Sequence, residues 1–328
     1  MLSNKLKNHF NNDEDTRKDI DKLAKRISNL EKESKNQKEI LDSYHDFISN
    51  LYLNCDLKPK GILKQVQDLG FEILVFTDKV CKKHGLEYWI DFGTLLGAVR
   101  HKGYIPWDDD LDASMMRQDY NRLAEVLEDE VKKANLENFG FRFMKGLFLK
   151  KTAYRWIKVY YHFDGFEEDD LACLDIFPYD YIKADQIDDM DDYYLECRGN
   201  FHQRVRDNVP FEEVLDKYYE ELNLSLERQD HYIMGVEGVK SKFDIYEIVI
   251  SDTDELFPLS EVEFNGKTFP APHDVPHYLE EIFGDTYMDI PKDPRTHDII
   301  SQLRKIDGIE SVLDKAIMEM RKVNEDFE

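Results

Sequence analysis

The 328-residue chain lacks any apolar run near the length of a membrane span, and its opening, MLSNKLKNHFNNDED, lacks the apolar core of a secretion signal. Both absences point to a cytoplasmic protein. Cysteine is scarce: Cys55, Cys81, Cys173 and Cys197 are far apart, with no CxxC pair. That spacing excludes a disulfide framework and a zinc ribbon, and it leaves Cys197 and His202 as no more than half of a metal site. Positive charge is also short, with 44 Lys and Arg against 69 Asp and Glu, so the net charge of −25 would repel a nucleic acid. Residues 1–58 contain neither Gly nor Pro. Nothing in that stretch breaks a helix.

Its apolar residues follow a heptad. Ile20, Ile27, Ser34, Leu41 and Ile48 occupy one seam position, and Leu23, Leu30, Gln37, Tyr44 and Leu51 the other. Ile at the first and Leu at the second favour a parallel coiled-coil homodimer. A long amphipathic helix packed on its own domain is the alternative. The segment 1–58 is therefore read as an N-terminal helix, and 59–328 as one catalytic domain with a charged helical insertion near 188–234.

Within that domain, Leu69, Ile73, Phe76 and Val80 predict a helix ending at Lys82-Lys83-His84-Gly85. LEYWID reads as a strand, GTLLGAVR as a short helix, and the stretch WDDDLDASM as another strand. Tyr120, Leu123, Leu127 and Val131 mark a further helix, followed by the strands GFRFM, YRWIKVYYHF and ACLDIF. VEFNGKTF predicts a hairpin turning at Asn265-Gly266, and DVPHYLEEIFG a helix capped by Asp274. Helices alternating with strands indicate an α/β fold with a mixed sheet.

The unusual feature is four aspartates in the five positions 108–112. On a strand, Asp108, Asp110 and Asp112 share one face. Carboxylates packed that closely repel, and a hard divalent cation, Mg²⁺ or Mn²⁺, would neutralise them. The apolar neighbours Ile105, Leu111, Ala113 and Met115 mark a core strand, whereas a solvated acidic run would lack them. Asp175, inside the apolar run ACLDIFPYD, is the candidate third acid. Gly93 and Thr94, at the start of the short helix, suit a phosphate group, and Arg100, His101 and Lys102 lie near enough in sequence to brace it. Arg155 and Lys158 offer a further cation among aromatics, as phosphate ligands or as snorkelling side chains. His273, His277, Arg295 and His297 are weaker candidates for substrate contacts.

The stretch GTLLGAVRHKGYIPWDDDLD, followed by Met116-Arg117 and Asp119-Tyr120, resembles the LicD family, which includes bacterial phosphocholine transferases and relatives of fukutin. WIKVY around Lys158, LDIFP around Asp175 and FNGKTFPAPHDVPHYLEEIFGDTYMDIP extend the resemblance to about Asp298. It implies a nucleotidyltransferase-like fold, Asp110 and Asp112 as paired metal ligands, and Asp175 as the third acid, acting as ligand or base. The implied reaction moves a phosphorylated alcohol (phosphocholine, or ribitol or glycerol phosphate) from a CDP-alcohol to a glycan or lipid-linked glycan, releasing CMP. Such a protein would work in the cytoplasm, peripheral to the membrane where lipid-linked glycans are made. Nucleotidyl transfer from an NTP is the alternative. A Ca²⁺-binding scaffold lacks support, because DDDLDASM does not follow the spacing of a calcium loop.

Overall fold

The computed structural model describes residues 2–55, 57–148, 152–163, 172–183, 190–237, 250–290 and 299–327. They fall into two compact units, one built on the N-terminal helix and one containing every strand and the other helices. Helix α1 spans Leu2–Asn54 without interruption, as the absence of Gly and Pro predicts. None of the described helices is long and apolar enough to cross a membrane.

The second unit begins with α2 (Ile62–His84), whose Leu69, Ile73, Phe76 and Val80 are all buried. Its cationic last turn is closed by Gly85 at φ 61°, the left-handed conformation that glycine adopts without a Cβ clash. There follow β1 (Trp89–Ile90), α3 (Phe92–His101), β2 (Leu111–Met116), α4 (Arg117–Ala134), β3 (Phe139–Phe148), β4 (Thr152–Tyr161) and β5 (Ala172–Ile182). These strands form a mixed sheet in the order β1-β2-β5-β4-β3. Strand β5 is buried along its whole length, as its near-continuous apolar sequence requires. It runs parallel to β2 and antiparallel to β4.

The segment read as a charged helical insertion is only partly helical. It holds α5 (Met190–Arg206) and α6 (Phe211–Glu221), but then β6 (Leu224–Ser225) and β7 (His231–Met234), which both pair with the end of β5. Two short strands separated by a charged loop leave no periodicity to detect. Tyr194, Phe201, Val214 and Tyr218 of α5 and α6 pack with Ile182 and Ile233 into a small core of their own.

The chain continues through β8 (Ser251–Asp252), α7 (Thr253–Leu256), β9 (Ser260–Phe264), β10 (Lys267–Ala271), α8 (Val275–Phe283), α9 (Ile299–Leu303) and α10 (Ile309–Glu325). The β9–β10 hairpin turns at Asn265 (φ 48°) and Gly266 (φ 77°), the two positive dihedrals that an Asn-Gly turn supplies. Asp274 caps α8 by accepting from His277 N at 3.2 Å. Asn265 N donates to Lys102 O at 2.7 Å, which ties this hairpin to the end of α3.

Candidate active site

Between β1 and α3 the chain makes a strained entry. Phe92 sits at φ 41°, a region where a bulky residue pays a steric penalty. What holds it there is Asp91, fully buried and capping α3. The Asp91 carboxylate accepts from Phe92 N (2.7 Å), Ser114 Oγ (2.6 Å) and Tyr278 Oη (3.0 Å), and Tyr278 Oη in turn accepts from Trp89 Nε1 at 3.1 Å. Burial still raises its pKa above the usual carboxylate value. Thr94, one turn into α3, uses its Oγ1 to accept from Asp112 N at 2.7 Å. The hydroxyl that the sequence suggested for phosphate is thus also the anchor of β2.

The aspartate run does not lie wholly on a strand. Ile105 O accepts from Asp108 N at 3.0 Å, closing a turn at Pro106-Trp107, and the ladder begins only at Leu111 opposite Leu174. Asp108, Asp109 and Asp110 therefore occupy the approach to β2, and Asp112 alone is within it. Carboxylate oxygens of the first three come within 4.8 Å of one another. Asp109 is buried, while Asp108 and Asp110 are half-buried. Gly93 makes room for this group: a Cβ there would stand 3.1 Å from Asp108 Oδ2 and 3.8 Å from Asp112 Oδ2.

The sheet register assembles the rest. Asp112 pairs with Asp175, Asp175 with Lys158, and Lys158 with Arg142, so four adjacent strands present acid, acid, cation, cation in one row on one face. Lys158 Nζ lies 3.3 Å from Asp175 Oδ1 and 3.5 Å from Cys173 Sγ. Asp175 Oδ1 is buried and receives no aligned hydrogen bond. Burial pushes the Asp175 carboxyl up to about 6, against the pull of Lys158. Asp112 is raised well above the carboxylate range by burial and by the charges of Asp110, Asp175, Asp108 and Asp91. A buried carboxylate beside mutually repelling acids is a donor set that suits a hard divalent cation.

Next to this row runs a line of aromatic rings. Phe92 meets Phe177 edge-on at 5.5 Å, Phe177 meets Trp156 at 5.5 Å, and Trp156 meets Tyr154 at 4.9 Å. Phe177 is two residues beyond Asp175 and Trp156 two before Lys158, so both share the acidic face.

Residues 85–214 match the model of the LicD/FKTN/FKRP nucleotidyltransferase domain. The chain carries a LicD-family domain. It is 42% identical over 67 residues to the lipopolysaccharide cholinephosphotransferase LicD of Haemophilus influenzae, covering 20% of this chain and 25% of that protein. An uncharacterized protein of Rickettsia prowazekii is 46% identical over 57 residues, covering 17% of this chain and 21% of that protein. The mouse ribitol 5-phosphate transferase FKRP is 45% identical over 47 residues, covering 14% of this chain and 10% of that protein. The matching stretches thus span a quarter or less of these relatives.

Of the residues picked out in the LicD domain, Asp110, Asp112, Asp175 and Lys158 converge electrostatically, together with Asp108. Asp110, Asp112 and Asp175 do not reach the 4.8 Å mutual spacing seen for Asp108–Asp110. Arg100 is half-buried in the last turn of α3, and Lys102 pairs with Glu263 of β9 at 3.1 Å. Arg155 faces the opposite side of β4, where it pairs with Glu212 at 2.7 Å and lies over the Phe143 ring at 4.1 Å. His273 contacts Pro258 O at 3.1 Å, and His277 lies 3.4 Å from Glu255. Arg295 and His297 lie outside the described residues.

The sequence reading missed two features of the LicD domain. One is the Asp91–Tyr278 bond, whose second partner lies beyond the matched range. The other is Arg117, buried at the start of α4. Its guanidinium meets Asp180 through Nε at 2.7 Å and Nη2 at 3.0 Å, and Glu237 through both terminal nitrogens, while Tyr219 Oη also donates to Asp180. Asp180 was a signal in plain sight, a second acid in the same apolar strand as Asp175.

Proposed function

We propose that the LicD domain transfers a phosphorylated small alcohol from a CDP-linked donor to a glycan hydroxyl, releasing CMP. The observation that carries this reading is the registered row of Asp112, Asp175 and Lys158, two acids and a cation on one face beside the Gly93 opening. The phosphotransferase names of its relatives support the reaction type. Asp110, Asp112 and Asp175 would hold Mg²⁺ or Mn²⁺, which when bound neutralises phosphate charge and makes a nearby hydroxyl more acidic.

The chain's own residues do the rest. Gly93 and the first turn of α3 offer backbone N–H groups to the donor diphosphate, and Arg100 or Lys102 braces it. The acceptor oxygen attacks the donor phosphorus in line, and the bond from phosphorus to the CMP oxygen breaks, with CMP leaving on that electron pair. Asp175 acts either as a ligand of the divalent ion or as the base that takes the hydroxyl proton. Burial makes its carboxyl more basic than an ordinary carboxylate, which suits a proton acceptor. Cys173 needs no part in this, because no covalent enzyme intermediate is formed.

Among the alcohols, the line Phe92–Phe177–Trp156–Tyr154 favours phosphocholine, since a quaternary ammonium gains a cation–π attraction to aromatic faces that an uncharged polyol cannot make. The test is CMP release from CDP-choline, CDP-ribitol and CDP-glycerol with Mg²⁺ and a glycan acceptor. CDP-choline should be preferred, and Trp156→Ala should reduce that preference. Pyrophosphate release from an NTP, with no CMP from any CDP-alcohol, would instead assign nucleotidyl transfer.

A further inference from the structure

We infer that α1 binds the α1 of a second copy of this chain as a parallel, in-register two-stranded coiled coil. The structure leaves the whole seam open: Ile27 is 55% exposed, Leu30 56%, Leu41 66% and Tyr44 59%, and Ile20, Leu23, Ile48 and Leu51 are exposed as well. A helix of this length, about 80 Å at 1.5 Å per residue, gains its stability from packing an apolar face rather than from propensity alone. Some surface must cover that seam.

The flanking charges say which one. Take Ile20, Ile27, Ser34, Leu41 and Ile48 as heptad position a. In a parallel pair each g residue then faces the e residue five positions further along the partner helix. Those pairs are Arg26 with Glu31 and Glu33 with Lys38, each opposite in sign and each made twice by symmetry. Beyond them, Ile40 lies opposite His45, a half-buried ring that contacts Ile290 O at 3.2 Å, and Phe47 opposite Tyr52, so neither pair sets charge against like charge. No like charges meet. The best antiparallel register, which sets Ser34 against Gln37, keeps a single attractive pair, Glu31 with Lys38, and turns Phe47 toward Arg26 and Ile40 toward Glu33. Charge and apolar matching both select the parallel arrangement.

A consequence is that both LicD domains leave the same end of the coil. Cys55 supplies a native probe of it, for it is exposed, it continues the a positions, and the other three cysteines are buried. In the parallel pair the two Cys55 thiols adjoin, whereas in an antiparallel pair they lie at opposite ends. The test uses the full chain. Light scattering should give twice the 39.0 kDa chain mass. Diamide, which oxidises two thiols to a disulfide, should convert most of the protein to a covalent dimer, and Cys55→Ser should abolish that product. Ile27→Asp combined with Leu30→Asp, both at exposed positions, should give a monomer whose near-ultraviolet circular dichroism is unchanged. A monomeric wild type at tens of micromolar, a trimer, a dimer that survives the double substitution, or a dimer that diamide does not link through Cys55 would each overturn the inference.

Discussion

Asp112 and Asp175 lie directly opposite one another on β2 and β5, the parallel pair at the centre of the sheet, so their carboxylates leave the same face side by side. In an antiparallel neighbour, β4, the residue next in the row is Lys158, which tempers one of the two charges and leaves the other to its acidic neighbours. The excess of negative charge is what a divalent ion would relieve.

Asp110→Asn and Asp112→Asn should each abolish turnover while leaving the fold intact. Without divalent ions these variants should melt at or above the wild-type temperature, because one of several repelling charges is gone. Mg²⁺ should raise the wild-type melting temperature, by the equivalent of about 2.7 kcal/mol at a hundredfold excess over its Kd, and should shift the variants far less. Thermal melts with and without Mg²⁺, beside CMP release, check this.

Gly93→Ala adds a methyl 3.1 Å from Asp108 Oδ2, tight enough that the carboxylate must move. The glycine is not in a left-handed conformation, so the backbone tolerates alanine. Activity should fall at least tenfold while stability changes by less than about 1 kcal/mol. Thr94→Val, which leaves the half-buried Asp112 N–H without its 2.7 Å acceptor, should instead cost about 1 kcal/mol as well as activity. Urea denaturation and steady-state kinetics on both variants separate the two effects.

Arg117→Met leaves Asp180 and Glu237 buried without their cation. A loss of about 3–5 kcal/mol is expected, because removing one partner of a buried ion pair leaves the others desolvated and unpaired. Arg117→Lys should recover little, since an ammonium cannot make two bidentate contacts. Equilibrium unfolding of both variants would show it.

His202 carries the clearest pH signal. Its Nδ1 accepts from Ala153 N at 3.2 Å, which requires the neutral ring, and burial together with Arg198 and Arg206 lowers its pKa to about 4. The folded pKa lies below the unfolded value near 6.5. Its contribution is therefore fully present above pH 6.5 and is lost as the pH falls toward 4, amounting to about 3 kcal/mol in total. The stability difference between wild type and His202→Gln should shrink by that order between pH 7 and pH 4, as measured by urea titration at each pH.

Local chemistry settled much of this protein from the sequence alone. Helix α1 follows from a stretch without Gly or Pro, the end of α2 from Gly85, and the β9–β10 turn from Asn265-Gly266, because each depends on backbone preferences within a few residues. Asp112 and Asp175 stood out as acids in apolar surroundings for the same reason. Tertiary structure decided what no local pattern carries. It placed Asp175 opposite Asp112, 63 positions away in the chain, because register is set by how two strands pack. It began the aspartate strand only at Leu111, because the turn at Pro106-Trp107 delays the ladder. It also supplied Tyr278 to Asp91 and Glu237 to Arg117, since a buried charge takes its partner from whichever distant segment the fold brings within 3 Å.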